Sequence, residues 1–271
     1  MSLSDNWLRG GGEMGARIRA FDWAATSLGA PDTWSPALRT MVRILLANRF
    51  PHILWWGPDY IQFYNDPYRP YPGTKHPHVA LGRPARECWP EIWHVIGPLI
   101  DTPFNGGPAT WDDDIELEIN RHGYVEESHF TIAYSPVPDD TVPSGIGGVL
   151  ATVHEITDKV IGERRTVALR DLGARVGEAK SAQDACAMAA AALAEHAKDL
   201  PFALLYLLEP NMRSAQLCGA AGVGAGESVS PLSIDLTRAD AGPWPLAEAL
   251  TSRTSLVVDP IGEHFADVPP G

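Results

Sequence analysis

Cysteine is scarce in this chain. Only Cys88, Cys186 and Cys218 occur in 271 residues, with no CxxC pair and no Cys/His cluster. Three scattered thiols make neither a disulfide framework nor a structural zinc site. They read as small buried hydrophobes in a reduced, cytoplasmic protein. Basic residues are also short: 21 Lys and Arg against 34 Asp and Glu leave a net charge of −13. A nucleic-acid backbone would repel such a chain, and no basic patch is segregated to offset that. No apolar run approaches the roughly 20 residues of a membrane-spanning helix. The opening Met1-Ser2-Leu3-Ser4-Asp5 lacks the basic start and apolar stretch of a secretory signal. Nucleic-acid, membrane and secreted classes are therefore disfavoured. Catalysis lacks its marks too, because no Ser/His/Asp or Cys/His arrangement has supporting context. The chain reads as a non-enzyme.

What is present is aromatic and unevenly placed. Eight of the nine Trp fall between Trp7 and Trp111, whereas the chain after Gly177 is rich in Ala, Gly and Leu. Two modules are the simplest account. In the first, Thr33-Trp34-Ser35-Pro36 reads as a helix cap with proline in the first turn, followed by Leu38, Met41, Val42, Leu45 and Leu46 at helical spacing. The run Pro51–Gly57, closed by Gly-Pro, and Tyr60–Tyr64 read as a hairpin through Gly57-Pro58-Asp59. Residues 65–86 are dense in Pro, Gly and His and predict loop or short helical turns. Trp89 to Ile100 predicts a short helix. Ile115, Leu117 and Ile119 alternate with polar residues, Arg121-His122-Gly123 turns, and Phe130, Ile132 and Tyr134 alternate on the return. That is a long antiparallel hairpin with one buried face. Gly148–Val153 is a last strand, making an α+β domain with an antiparallel sheet. A charged helix from Thr157 to about Ala179 follows, with Leu169, Leu172 and Val176 on one stripe. Ser181 with Asp184 then caps an amphipathic helix, and strands at Phe202–Leu208 and from Ala215 begin a second α+β domain. The chain stops at Val268-Pro269-Pro270-Gly271, which reads as a truncation.

Several short motifs fail on their context. His154-Glu155 lacks the second histidine of a zinc-protease helix, since Asp158 stands there, and lacks the basic-proline sequel of a phosphate-accepting box. His76-Pro77-His78 offers two metal ligands in a loop with no adjacent carboxylate, and His94 is a lone candidate for a haem ligand. Gly222-Val223-Gly224-Ala225-Gly226 lacks the spacing and the Lys-Ser/Thr of a nucleotide loop and reads as a turn. Asp112-Asp113-Asp114 reads as an acidic triplet opening a solvated strand rather than a cation site.

The aromatic residues are what is left. Trp55, Tyr64, Tyr68, Trp89, Trp93, Phe104, Phe130 and Tyr134 come from strands and helices expected to face one another. Such a set makes a core, or lines a cavity for a planar ligand. The side chains alone leave both open.

Specific runs then narrow the family. They are Phe21-Asp22-Trp23 with Ser27-Leu28-Gly29, Phe63-Tyr64-Asn65-Asp66, Gly73-Thr74-Lys75-His76-Pro77, Ala80-Leu81-Gly82 and Trp89-Pro90-Glu91-Ile92-Trp93. After them come Glu126-Glu127, Tyr134-Ser135-Pro136 and Gly147-Gly148-Val149, leading to Glu155-Ile156-Thr157. Together, over roughly residues 20–160, they resemble a PAS sensor domain of bacterial histidine kinases. The resemblance implies a five-stranded antiparallel sheet with short helices over residues 36–157, after a flanking segment 1–35. It also implies a signalling helix at 158–180, and residues 181–271 resemble the first part of a GAF domain. It implies a ligand cavity from Trp55, Tyr64, Asn65, Tyr68, Trp93, Phe104, Phe130 and Tyr134, and a signal-relay hinge at Glu155 and Thr157. The implied partners are a second copy through the PAS domain and linker helix, downstream kinase and response-regulator modules, and an unknown small molecule. A pure dimerisation or docking module is the alternative. No cofactor is named. The flavin-binding Asn-Cys-Arg-Phe run is missing, since Cys88 lies in Arg86-Glu87-Cys88-Trp89, and Cys218 is followed by Gly219 rather than the His of bilin-binding domains.

Overall fold

The computed structural model describes residues 8–238 and 244–258, so the Val268–Gly271 ending lies outside the described residues. The chain forms two units, one ending at Asp158 and one starting at Lys159.

The first unit opens with helix α1 (Gly12–Ala20), whose buried Met14 and Ile18 face inward. The helix has no cap of its own; the Asp66 carboxylate accepts from the Glu13 and Met14 amides at 3.1 and 2.7 Å. Helix α2 (Pro36–Ala47) has the expected cap, with Ser35 Oγ accepting from the Leu38 amide at 3.1 Å. Its buried stripe is Leu38, Val42 and Leu45. Strands β1 (His52–Trp56) and β2 (Ile61–Tyr64) form the expected hairpin, and every residue of both is buried. Burial on both faces explains why these strands read as continuous apolar runs rather than alternating ones. On one face Phe63 stacks on Trp23 at 4.4 Å between ring centres, with Trp34 edge-on at 5.4 Å. Residues 8–35 thus place Leu8, Met14, Ile18, Trp23 and Trp34 in the same buried cluster as the sheet.

Two 3-10 turns, Asp66–Tyr68 and Gly73–Lys75, occupy the expected loop region. The helix expected over Trp89–Ile100 starts later instead, after a separate short turn of helix. Helix α3 (Ala85–Cys88) ends at Trp89, and α4 runs from Trp93 to Phe104. Pro90 accounts for the break, because the residue before a proline is pushed out of the helical region. Helix α4 lies against β3 (Thr110–Asn120), β4 (Val125–Pro138) and β5 (Ile146–Glu155). In β3 the buried Ile115, Leu117 and Ile119 alternate with exposed Glu116, Glu118 and Asn120, as the pattern predicts. The strand extends back to Thr110 through a bulge between Asp112 and Ile115. The sheet is antiparallel throughout in the order β2-β1-β5-β4-β3. The unit is α+β, with two strands, short helices, then three strands.

Helix α5 (Thr157–Val176) follows β5 after Ile156. In the second unit, helix α6 (Ala182–Ala194) is capped by Ser181 Oγ, which accepts from the Asp184 amide at 3.0 Å. A three-stranded antiparallel sheet follows, β6 (Ala203–Leu208), β7 (Ser214–Ala221) and β8 (Ser233–Asp235), in that order, then helix α7 (Leu246–Ser252). Ion pairs Arg164–Asp199 and Arg175–Glu195, both 2.6 Å, tie α5 to the end of α6 and the turn beyond it. Among the described residues no helix is long and apolar enough to cross a membrane.

Candidate functional site

Between α4 and the sheet lies an apolar cavity. Trp55 of β1 stacks on Tyr134 of β4 at 5.8 Å, and Phe130, Ile132, Leu117, Ile119 and Val153 continue that wall. Tyr68 and Tyr71, from the turns after β2, and Trp89, Ile92 and Ile96 close the other side. Packing nearly fills it: the space left is about 30 Å³. That holds a water or two by the usual one-probe criterion of roughly 10–15 Å³. Ligand pockets are typically roughly 300–1,000 Å³. Burial pushes the phenol pKa values of Tyr68 and Tyr134 up, so both are neutral, uncharged donors at ordinary pH.

One polar side chain organises this edge of the core. Gln62, fully buried on β2, accepts from the Trp55 and Trp89 indoles at 3.3 and 2.8 Å and donates to the Ala80 carbonyl at 3.0 Å. It fixes the ring planes of two cavity walls. Beside it, burial pushes the Cys88 thiol up to about 11, so the thiol stays protonated and unreactive.

Of the eight side chains expected around a cavity, Trp55, Tyr68, Phe130 and Tyr134 line this one. The other four sit elsewhere. The Tyr64 hydroxyl pairs with His76 Nδ1 at 2.7 Å. Asn65 accepts from the His52 amide at 3.0 Å and donates to the carbonyls of Leu45, Asn48 and Phe50. Trp93 lies under the Arg86 guanidinium at 5.1 Å, and Phe104 packs edge-on against Tyr60 at 5.0 Å. Tyr71 and Gln62 were missed by sequence reasoning. A lone polar residue within the apolar run of β2 was the available signal for Gln62; Tyr71 gave none, lying in a Pro/Gly-dense loop.

Glu155 and Thr157, expected at a hinge, meet in one cluster. Arg121, at the β3–β4 turn, donates through two guanidinium nitrogens to the two Glu155 carboxylate oxygens at 2.9 and 2.6 Å, and through Nε to Glu126 at 2.8 Å. Thr157 Oγ1, in the first turn of α5, donates to Glu155 at 3.0 Å and accepts from the His129 amide at 3.0 Å. The His129 carbonyl accepts from the Ile156 amide at 2.8 Å. Burial would raise the Glu155 pKa, but Arg121 and Thr157 outweigh it and hold the carboxyl below its ordinary value. The same pairing holds Arg121 more firmly protonated than usual. The cavity side reaches this cluster as well. Tyr71 packs edge-on against Phe130 at 5.6 Å, and three residues on, the Thr74 amide donates to the Arg121 carbonyl at 2.8 Å. Gly73 permits that approach, with φ +51°; a Cβ there would lie 2.0 Å from the Arg121 oxygen.

No protein-family profile matches the chain. No curated protein matches it either. Solved structures do. A sensory box sensor histidine kinase from Vibrio cholerae is 15% identical with a TM-score of 0.29, covering 43% of this chain and 86% of that one. A variant of RsLOV is 15% identical with a TM-score of 0.35, covering 52% of this chain and 80% of that one. An RNA-binding light-oxygen-voltage receptor is 15% identical with a TM-score of 0.35, covering 51% of this chain and 38% of that one.

Proposed function

We propose that this chain is a PAS-type sensory input region of a two-component signalling protein, without catalytic activity of its own. It relays a cue through α5 to a histidine-kinase module outside this sequence. The observation that carries the reading is the Arg121–Glu155–Thr157 cluster. A single carboxylate joins the β3–β4 turn, the end of β5 and the first turn of α5. A change of cavity packing that moves Tyr71 or Phe130 would shift the Gly73–Thr74 contact and the strand pair next to Glu155. Such a shift is allosteric only if the cue has different affinity for the two states. The residue runs quoted above support the same reading. On this reading the protein acts as a homodimer through the PAS domain and α5, hands its signal to kinase and response-regulator partners, and carries the start of a GAF domain after residue 181.

The test is a chimera of this chain with a histidine-kinase core, comparing wild type with the double variant Glu155→Ala, Thr157→Ala. Loss of cue-dependent autophosphorylation with an intact fold supports the relay. Unchanged regulation overturns it.

The small cavity favours a second reading, a dimerisation or docking module whose interior is filled by its own aromatics. Native mass spectrometry and absorbance of freshly purified protein separate the two. A retained small molecule marks a sensor of chemical ligands, and a clean apo mass with a stable dimer marks a docking module.

A further inference from the structure

We propose that the outward face of the β3–β4 hairpin carries a site for a divalent transition-metal ion, formed by His129, Glu127 and Glu116, with Asp114 orienting the imidazole. Among the described residues this is the one group of three such side chains whose ligand atoms all lie within 4.8 Å of one another. The register puts them there. Glu116 is directly opposite His129 across the strand pair, and Glu127, two residues before His129, points to the same face.

A row of carboxylates would not by itself be a site. The imidazole sets this cluster apart. Its side chain is only 6% exposed, and Nδ1 is engaged by Asp114 Oδ1 at 2.6 Å. A carboxylate on one ring nitrogen is how metal-binding histidines are held in the tautomer that aims the other nitrogen at the ion. That other nitrogen, Nε2, faces Glu127 Oε1 at 2.7 Å. The β-bulge between Asp112 and Ile115 makes the arrangement possible, since the extra residue in β3 re-aims Asp114 toward His129. In the metal-free protein the proton on Nε2 bridges imidazole and carboxylate. An entering cation takes that position, releases the proton to solvent, and is held by Nε2 and the Glu127 and Glu116 oxygens, with water completing the shell. One nitrogen and two carboxylates suit Zn²⁺ or its transition-metal neighbours better than Mg²⁺ or Ca²⁺, which take oxygen ligands alone.

The experiment is calorimetric titration of the whole chain with ZnCl₂, reversed with EDTA. Amide spectra with substoichiometric Co²⁺ locate the ion. The expected result is saturable uptake with broadening confined to residues around 114–116 and 127–129. Glu116→Gln, at an exposed position, and Asp114→Asn should each weaken Zn²⁺ by roughly 10- to 100-fold, the usual effect of losing a ligand or its orienting partner. His129→Gln should abolish it. Equal affinity in wild type and the two carboxylate variants overturns the proposal, as does broadening centred on His76 and His78 or Mg²⁺ binding as tightly as Zn²⁺.

Discussion

Arg121 answers two carboxylates with one guanidinium, and its side chain is only 10% exposed. Removing it would leave Glu155 and Glu126 facing each other without a cation. Breaking one side of a buried pair typically costs about 3 kcal/mol or more, and Arg121→Ala should lower stability by that order, read as the shift of a urea midpoint. The pH dependence follows from Glu155. Its folded-state pKa lies below the ordinary value of 4.5, so the unfolded chain takes up the proton more readily. The stabilisation from this pair is complete above that value and is lost as pH falls through the folded pKa. Glu155→Gln should therefore cost Tm at pH 7 and flatten the decline that wild type shows below roughly pH 5. A mutant curve parallel to wild type down to acid pH would remove Glu155 from this role. Part of the cluster is written locally, since Glu155-Ile156-Thr157 is one short run. Its partner is not: Arg121 is 34 residues away, and nothing in its own neighbourhood marks it as the counter-ion.

Elements differ in how they announce themselves. The β3–β4 hairpin and α2 are legible because their buried residues recur at periods of 2 and 3.6 and their ends carry turn and cap residues. Helix α1 is not. It has little apolar stripe, and its free amides are met by Asp66, more than fifty residues on. Only a tertiary contact completes it. The family resemblance places Asn65, next to Asp66, at the ligand cavity. It instead bonds four backbone groups around the α2–β1 connection and is 1% exposed. Asn65→Ala would strand the His52 amide and the Asn48 carbonyl, since the Leu45 carbonyl keeps the Asn48 amide and the Phe50 carbonyl keeps the His52 ring, and a loss of about 2 kcal/mol is expected at about 1 kcal/mol per stranded group. Chemical denaturation with an unchanged m-value would register it; a loss under 0.5 kcal/mol, within the range of ordinary surface changes, would contradict that structural role.

At the scale of the molecule the two units are built from different material. The large buried cluster runs from Leu8 to Val153 and holds eleven Trp, Tyr and Phe side chains drawn from helices, turns and sheet alike. Buried residues in the second unit are chiefly alanines, with Val229 and Ile234, and β6 is only half-buried. Less apolar area per residue leaves less to offset chain entropy. Limited proteolysis should accordingly cut after Lys159 well before it cuts within residues 12–155; equal resistance would contradict that ranking. The interior of the first unit invites a separate test. Phe130→Ala should cost about 4 kcal/mol, as large-to-small changes in cores do, and leave a ring-sized void. Indole or benzene should then raise the Tm of the variant and not of wild type; no rise in the variant would mean the wall collapses inward.

The stack of Trp23 on Phe63 bears on how the protein can be handled at the bench. A fragment cut at Pro36, where α2 begins, would lose Met14, Ile18, Trp23 and Trp34 and bare the outer side of β1 and β2 to water. Two strands meant to be covered on both faces would then become an adhesive edge. Such a fragment should collect in inclusion bodies, while one starting at Leu8 and ending at Asp158 should purify as a folded species. Recovery of the shorter piece in good yield would show that the leading segment is ornament rather than wall.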